Sequence, residues 1–151
     1  MTLMEEQQQF FTTHERKGKT HIAMIETFRE FTFEAAHQTP PYSGLHGHSF
    51  LVRIFLRGEP HPKFGWTHNM YDIEPIVDEV RSDLDQRYLN DIPGLQVPTL
   101  ENVARWVWER MSPMLPGLHR VTIQRGQPGQ VEGCTYGPAS AVTEAALEGV
   151  A

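Results

Sequence analysis

Phe31-Thr32-Phe33-Glu34-Ala35-Ala36-His37 and, after a short interval, His46-Gly47-His48-Ser49-Phe50-Leu51-Val52-Arg53-Ile54-Phe55-Leu56-Arg57 decide the fold. In the first stretch, which the pattern opens at Phe28, Phe31, Phe33 and Ala35 alternate with Thr32, Glu34 and Ala36. That is the period of a half-buried strand. From His48 to Arg57, Phe50, Val52, Ile54 and Leu56 alternate in the same way with Leu51, Arg53, Phe55 and Arg57. The turn-rich run from Gln38 to Gly44 joins the two, and Gly58-Glu59-Pro60-His61-Pro62 closes the second.

Downstream the period changes. Ile73, Ile76, Val77, Val80 and Leu84 fall on one helical face, with Asp72 as the expected cap and Pro75 in the first turn. Asn90-Asp91-Ile92-Pro93-Gly94 is a loop. A second helix follows Thr99, its expected N-cap, with Leu100, Val103, Ala104, Val107, Trp108 and Met111 as the apolar stripe. Pro113 and Pro116-Gly117 close it. Val121 and Ile123 then mark a third strand, Gly126-Gln127-Pro128-Gly129 a hairpin loop, and Gln130 to Tyr136 a fourth strand. Strand, strand, helix, helix, strand, strand predicts an α+β fold with a four-stranded antiparallel sheet. Both helices fit on one face, which leaves the other for solvent or a second subunit.

Residues 25–137 therefore form the domain. Residues 1–24, rich in Gln and Thr, read as a loosely attached extension within which Met24 is an alternative start. Residues 138–151 read as an Ala-rich tail with a short helix. Thirteen Lys and Arg against nineteen Asp and Glu give a net charge of -6, which argues against a nucleic-acid binder. No run of ~20 apolar residues is present to span a membrane. The N-terminus lacks the basic and apolar regions of a secretory signal, so a cytoplasmic location is expected. One cysteine against eight histidines excludes an intramolecular disulfide and means that any transition-metal site must rest on imidazole.

His46-Gly47-His48 places two imidazoles on one strand face. His37 ends the preceding strand, and a hairpin would bring it beside them. Three neutral imidazoles suit Zn²⁺ with a fourth position open, the pattern of a catalytic site. Gly47 would leave the metal uncrowded. His14, His21, His61 and His119 read as loop or surface residues. His68, after Gly65-Trp66, is intermediate.

The runs Phe33 to His37 and Leu45-His46-Gly47-His48-Ser49-Phe50 resemble the 6-pyruvoyltetrahydropterin synthase and 6-carboxytetrahydropterin synthase family. So do Gly65-Trp66 with Asn69, Leu84-Asp85 with Tyr88-Leu89-Asn90-Asp91, Pro98-Thr99-Leu100-Glu101-Asn102, and Gly133-Cys134-Thr135-Tyr136. The resemblance covers residues 28 to 137 and is nearest to the 6-carboxytetrahydropterin branch. It implies a tunnelling fold, in oligomers, usually hexamers, whose sheets join into a barrel with active sites between subunits. It also implies zinc on His37, His46 and His48 and a dihydroneopterin triphosphate substrate.

Three positions depart from that family. Tyr42 stands where the family has a catalytic Cys, and the single thiol, Cys134, lies in the last strand. The family's Asp-His pair is Asp85-Gln86 here, and glutamine is no base near pH 7. Arg125 replaces a Glu that accepts hydrogen bonds from the pterin ring. Arginine only donates and suits a carboxylate or phosphate. Alternatively, Arg125 turns outward to an acid such as Glu132. Glu101 keeps a second pterin-contacting position, or is simply a first-turn acid favoured by the helix dipole.

The resulting expectation is a zinc lyase or hydratase of this family, diverged towards a pterin-like small molecule with an anionic group. Tyr42, His68 and Asp85 are the candidate acid–base residues, Arg125, Glu101 and Thr99 the substrate-binding ones, and His37, His46 and His48 the metal ligands. A rewired site still running the family reaction is a second possibility. A third is a non-catalytic zinc-binding member that holds a ligand or modulates an intact synthase.

Overall fold

A computed structural model describes residues 22–149 of the chain. Strands β1 (Ile25–His37) and β2 (His46–Gly58) pair antiparallel along their whole length, from Ile25 opposite Gly58 to His37 opposite His46. Helix α1 (Met70–Leu84) follows, then a two-residue strand β3 (Arg87–Tyr88) and a 3₁₀ turn, Leu89–Asp91. Helix α2 (Leu100–Met111) precedes the hairpin of β4 (Leu118–Arg125) and β5 (Glu132–Tyr136). Helix α3 (Ala139–Glu148) ends the described chain. The sheet order is β3-β1-β2-β4-β5, antiparallel except for β3 against β1.

The architecture is the expected α+β arrangement with a fifth, short parallel strand. Two residues carry no period, so β3 leaves no trace in the alternation that reveals its longer neighbours. Three further expectations shift. Helix α1 starts at Met70 because Asn69, not Asp72, is the cap: its side chain accepts from the Tyr71 N–H. Pro75 therefore lies beyond the first turn. The fourth strand begins at Glu132, since Gln130 still belongs to the turn, its N–H donating to the Gln127 carbonyl. Gly126 makes that turn possible, with φ 107° and the Gln130 carbonyl where a Cβ would sit.

Alternation divides the sheet cleanly. Phe31, Phe33, Phe50, Val52, Ile54, Leu56, Val121 and Ile123 are buried. They pack with Ile73, Val77, Val80 and Leu84 of α1 and Val103, Ala104, Val107 and Met111 of α2 into one core. Thr99 caps α2 through its hydroxyl, which accepts from the Asn102 N–H; such a cap contributes ~1 kcal/mol.

The opposite face carries an ordered set of ion pairs: Arg53 with Glu30, Arg57 with Glu26, and Arg120 with Glu26. Phe28 and Phe55 lie among them, and the Arg120 guanidinium sits 4.1 Å over the Phe55 ring. Helix α3 reaches this face through Glu144 on Arg57 and Glu148 on Arg120. The tail helix is thus fastened to the sheet by carboxylates. Of the expected N-terminal extension, residues 1–21 lie outside the described residues.

Candidate metal centre

His37 and His46 are directly opposed in the β1–β2 ladder, and His48 is opposed to Ala35 two pairs further in. All three side chains therefore project from the core face at one end of the sheet. Their ring centroids are 4.6, 4.8 and 5.2 Å apart. One ligand nitrogen from each lies within 4.8 Å of the others. Phe50 forms the floor, its ring edge-on to His37 and His48.

The outward nitrogens are held by the backbone. His37 Nδ1 donates to the Pro98 carbonyl at 2.9 Å, and His46 Nδ1 to the Gly44 carbonyl at 2.7 Å. Those bonds place the proton on Nδ1 and leave both Nε2 lone pairs facing each other, 3.1 Å apart. His48 Nε2 is buried without a partner. Three imidazole nitrogens this close together, two of the rings with their other nitrogen on a carbonyl, fit a divalent metal. Burial, with repulsion from His46 and Arg125, lowers the His37 pKa below the ordinary imidazole value. Burial and Arg125 do the same to His48. Both therefore favour the neutral form that binds metal.

Arg125 is the fourth member of the group. It is opposed to Phe50 in the β2–β4 ladder, so its side chain shares the histidines' face. Its Nη1 donates to His37 Nε2 at 3.1 Å, and its Nε to Glu132 at 2.6 Å. Pairing with Glu132 and facing the site, posed as alternatives, thus occur together.

The remaining candidates are distributed around this centre. Tyr42 sits on the loop joining His37 to His46, 92% exposed. Thr99 follows the Pro98 carbonyl that orients His37, but its own hydroxyl is the α2 cap. Glu101 is exposed in the first turn of α2 and lies near Cys134. Burial, then that carboxylate, pushes the Cys134 thiol up to about 11, so it is no thiolate at neutral pH.

Asp85 makes no hydrogen bond to the imidazoles. Its carboxylate accepts the Glu34 N–H at 2.9 Å and pairs with Arg81, while the Gln86 N–H donates to the Glu34 carbonyl at 2.6 Å. Both backbone groups of Glu34 are thereby clamped one residue before Ala35, the residue opposite His48. Half of this clamp, the Gln86 N–H on the Glu34 carbonyl, is backbone to backbone and leaves no side-chain signature in the sequence.

His68 is at the far end of the sheet. Its Nε2 donates to the Pro116 carbonyl, and its ring packs on Gly58 and Gly117. From His46 to Gly58, β2 extends roughly 40 Å, so His68 of one chain does not reach that chain's imidazole cluster. Gly47 also differs from expectation. It faces away from the metal side, and a Cβ there would meet the Ala35 carbonyl at 3.3 Å, so its small size serves strand contact.

An open cleft of about 570 Å³ lies beside the cluster, lined by Glu34, Gly47, His48, Ser49, Gln86 and Tyr88 among others. A larger cavity of about 700 Å³, bounded by Arg87, Trp106 and Arg110, contains no histidine.

Comparison with known proteins gives a consistent result. A family model described as 6-pyruvoyl tetrahydropterin synthase matches residues 26–136. A 6-carboxy-5,6,7,8-tetrahydropterin synthase from Synechocystis sp. is 36% identical over 109 residues, covering 64% of this chain and 82% of that protein. A dihydroneopterin monophosphate aldolase from Pyrococcus furiosus is also 36% identical, over 67% of this chain and 90% of its own. The structure of Caenorhabditis elegans 6-pyruvoyl tetrahydropterin synthase superposes with a TM-score of 0.67 at 24% identity, covering 78% of this chain and 98% of that one.

Proposed function

The chain belongs to the 6-pyruvoyl tetrahydropterin synthase family, and from that premise we propose that it is a zinc-dependent lyase of the 6-carboxytetrahydropterin synthase type. Its chemistry has moved from dihydroneopterin triphosphate towards a pterin-like substrate whose anionic group meets Arg125. One observation carries this reading: three imidazole nitrogens lie within 4.8 Å of one another beside the Arg125 guanidinium.

His37, His46 and His48 would hold the metal through Nε2. When bound, zinc supplies Lewis-acid polarisation of hydroxyl and carbonyl oxygens. The chain's own residues do the rest. The Pro98 and Gly44 carbonyls orient two imidazoles. Arg125 offers a planar fork of donors to a carboxylate or phosphate. Set against the donor edge of a pterin, it would leave donors unpaired at a cost of ~1–3 kcal/mol. Tyr42, on the loop between two ligands, is the candidate for moving a proton; Asp85 is a positioning residue that holds β1. Glu101 remains the candidate contact for the pterin ring.

Two relatives of equal identity carry different activities in their names, one acting on a dihydroneopterin monophosphate. Overall similarity therefore does not choose the reaction, and the phosphate in that second name is the kind of group Arg125 suits. We also place the chain in a homo-oligomer, with hexamer as the working state. Among the described residues, β3 pairs only with Ala35 and Ala36, so β1 from Ile25 to Phe33 has no neighbouring strand on that edge, and Phe28 is 55% exposed on the uncovered face. A ligand-binding, non-catalytic role is the second reading, favoured by the Asp85 carboxylate being fully engaged and Cys134 staying protonated.

The test is product analysis with zinc-loaded protein. Dihydroneopterin triphosphate should give little 6-carboxytetrahydropterin or acetaldehyde, while a phosphorylated or carboxylated dihydropterin should be turned over. Robust formation of both standard products would defeat the claim of divergence. Binding without turnover of any such compound would favour the second reading.

A further inference from the structure

We infer that Arg125 and a divalent metal compete for the Nε2 lone pair of His37, so that Arg125 sets how tightly the three-imidazole site loads; this rests on the metal-site reading above. Nη1 of Arg125 donates to His37 Nε2 at 3.1 Å. That is the lone pair a metal needs, because His37 Nδ1 is committed to the Pro98 carbonyl. A zinc–nitrogen bond is about 2.0–2.1 Å long. An ion at that distance from His37 Nε2 takes the place from which Nη1 now donates. The guanidinium keeps its charge at every accessible pH, so it cannot yield by deprotonating. It must move.

The groups around it favour displacement in one direction. His37 is 1% exposed, so repulsion between a guanidinium and a divalent ion is weakly screened there. Glu132 is the carboxylate bonded to Arg125. It is opposed to Arg125 in the β4–β5 ladder and its side chain is 62% exposed. Its carboxylate is the outer anchor onto which the guanidinium can swing. Two side chains therefore act on the metal with opposite signs: Arg125 opposes loading and Glu132 assists it by drawing Arg125 away.

The experiment is an equilibrium titration of the metal-stripped full chain with Co²⁺, read by the visible absorption of the bound ion. Arg125→Gln should bind Co²⁺ about tenfold tighter than wild type, and Glu132→Gln about tenfold weaker, the scale typical of groups that support metal ligands. The double variant should follow Arg125→Gln, because Glu132 acts through Arg125. Damage to the fold weakens binding in every variant, so a gain in affinity cannot come from it. Equal or weaker binding by Arg125→Gln overturns the inference and leaves the metal site standing. If neither wild type nor any variant shifts the spectrum from that of aqueous Co²⁺, the metal-site reading fails as well.

Discussion

His37 Nε2 and His46 Nε2 face each other at 3.1 Å, each with its other ring nitrogen bound to a backbone carbonyl. Two lone pairs held so close need a cation between or beside them, and this requirement links the stability of the site to pH and metal.

Because burial lowers the pKa values of His37 and His48, the unfolded chain binds more protons than the folded one just below the ordinary histidine value of ~6.5. The sign follows: stability of the metal-free protein is full above that pH and falls as pH drops towards the lowered folded-state values. Thermal unfolding from pH 8 to 5 should show this loss, and His48→Phe should flatten it. A metal-free melting temperature that rises as pH drops would contradict it. Zinc should raise the melting temperature at pH 7.5 and chelation should reverse the gain.

Asp85→Ala removes the acceptor for the Glu34 N–H and should cost about 1–3 kcal/mol in chemical denaturation. Gln86 adopts φ 56°, a left-handed conformation that favours glycine. Gln86→Gly should therefore be neutral or stabilising, and Gln86→Val destabilising by at least ~1 kcal/mol. A stabilised Gln86→Val variant would show that the clamp is misassigned.

Cys134, with its thiol raised to about 11, should react slowly with iodoacetamide at pH 8 and accelerate only as pH approaches that value. Cys134→Ala should leave turnover within twofold of wild type. Loss of activity in that variant at unchanged stability would give the thiol a role that its surroundings argue against.

Much of this was legible in the sequence, for physical reasons that can be named. Long strands and amphipathic helices write their periods into side chains, so β1, β2, α1 and α2 are readable from Phe33, Phe50, Val77 and Val107 outward. The candidate metal ligands follow from one register, His37 opposite His46, together with the family resemblance. Short elements held by backbone bonds are not readable, and β3 and the Gln86 half of the clamp on Glu34 belong here. Asn69 and Asp72 are both good caps, and only the structure chooses. His68 could be placed by no local rule, since its position depends on the whole length of β2.

Arg120 is 3% exposed and pairs with Glu26 and with Glu148 of α3. Truncation after Gly137 removes one of those carboxylates and should lower stability by about 1–3 kcal/mol, measured by urea unfolding. Arg120→Met should lessen the effect of truncation. An unchanged midpoint on truncation would show that α3 contributes nothing to the fold.

The most direct measurement is a crystal structure of the zinc-loaded protein soaked with a phosphorylated dihydropterin. The expected result is zinc on Nε2 of His37, His46 and His48, with the ligand's anionic group on Arg125, now turned from His37. Zinc bound elsewhere, or the amino edge of the pterin ring seated against Arg125, would contradict the account.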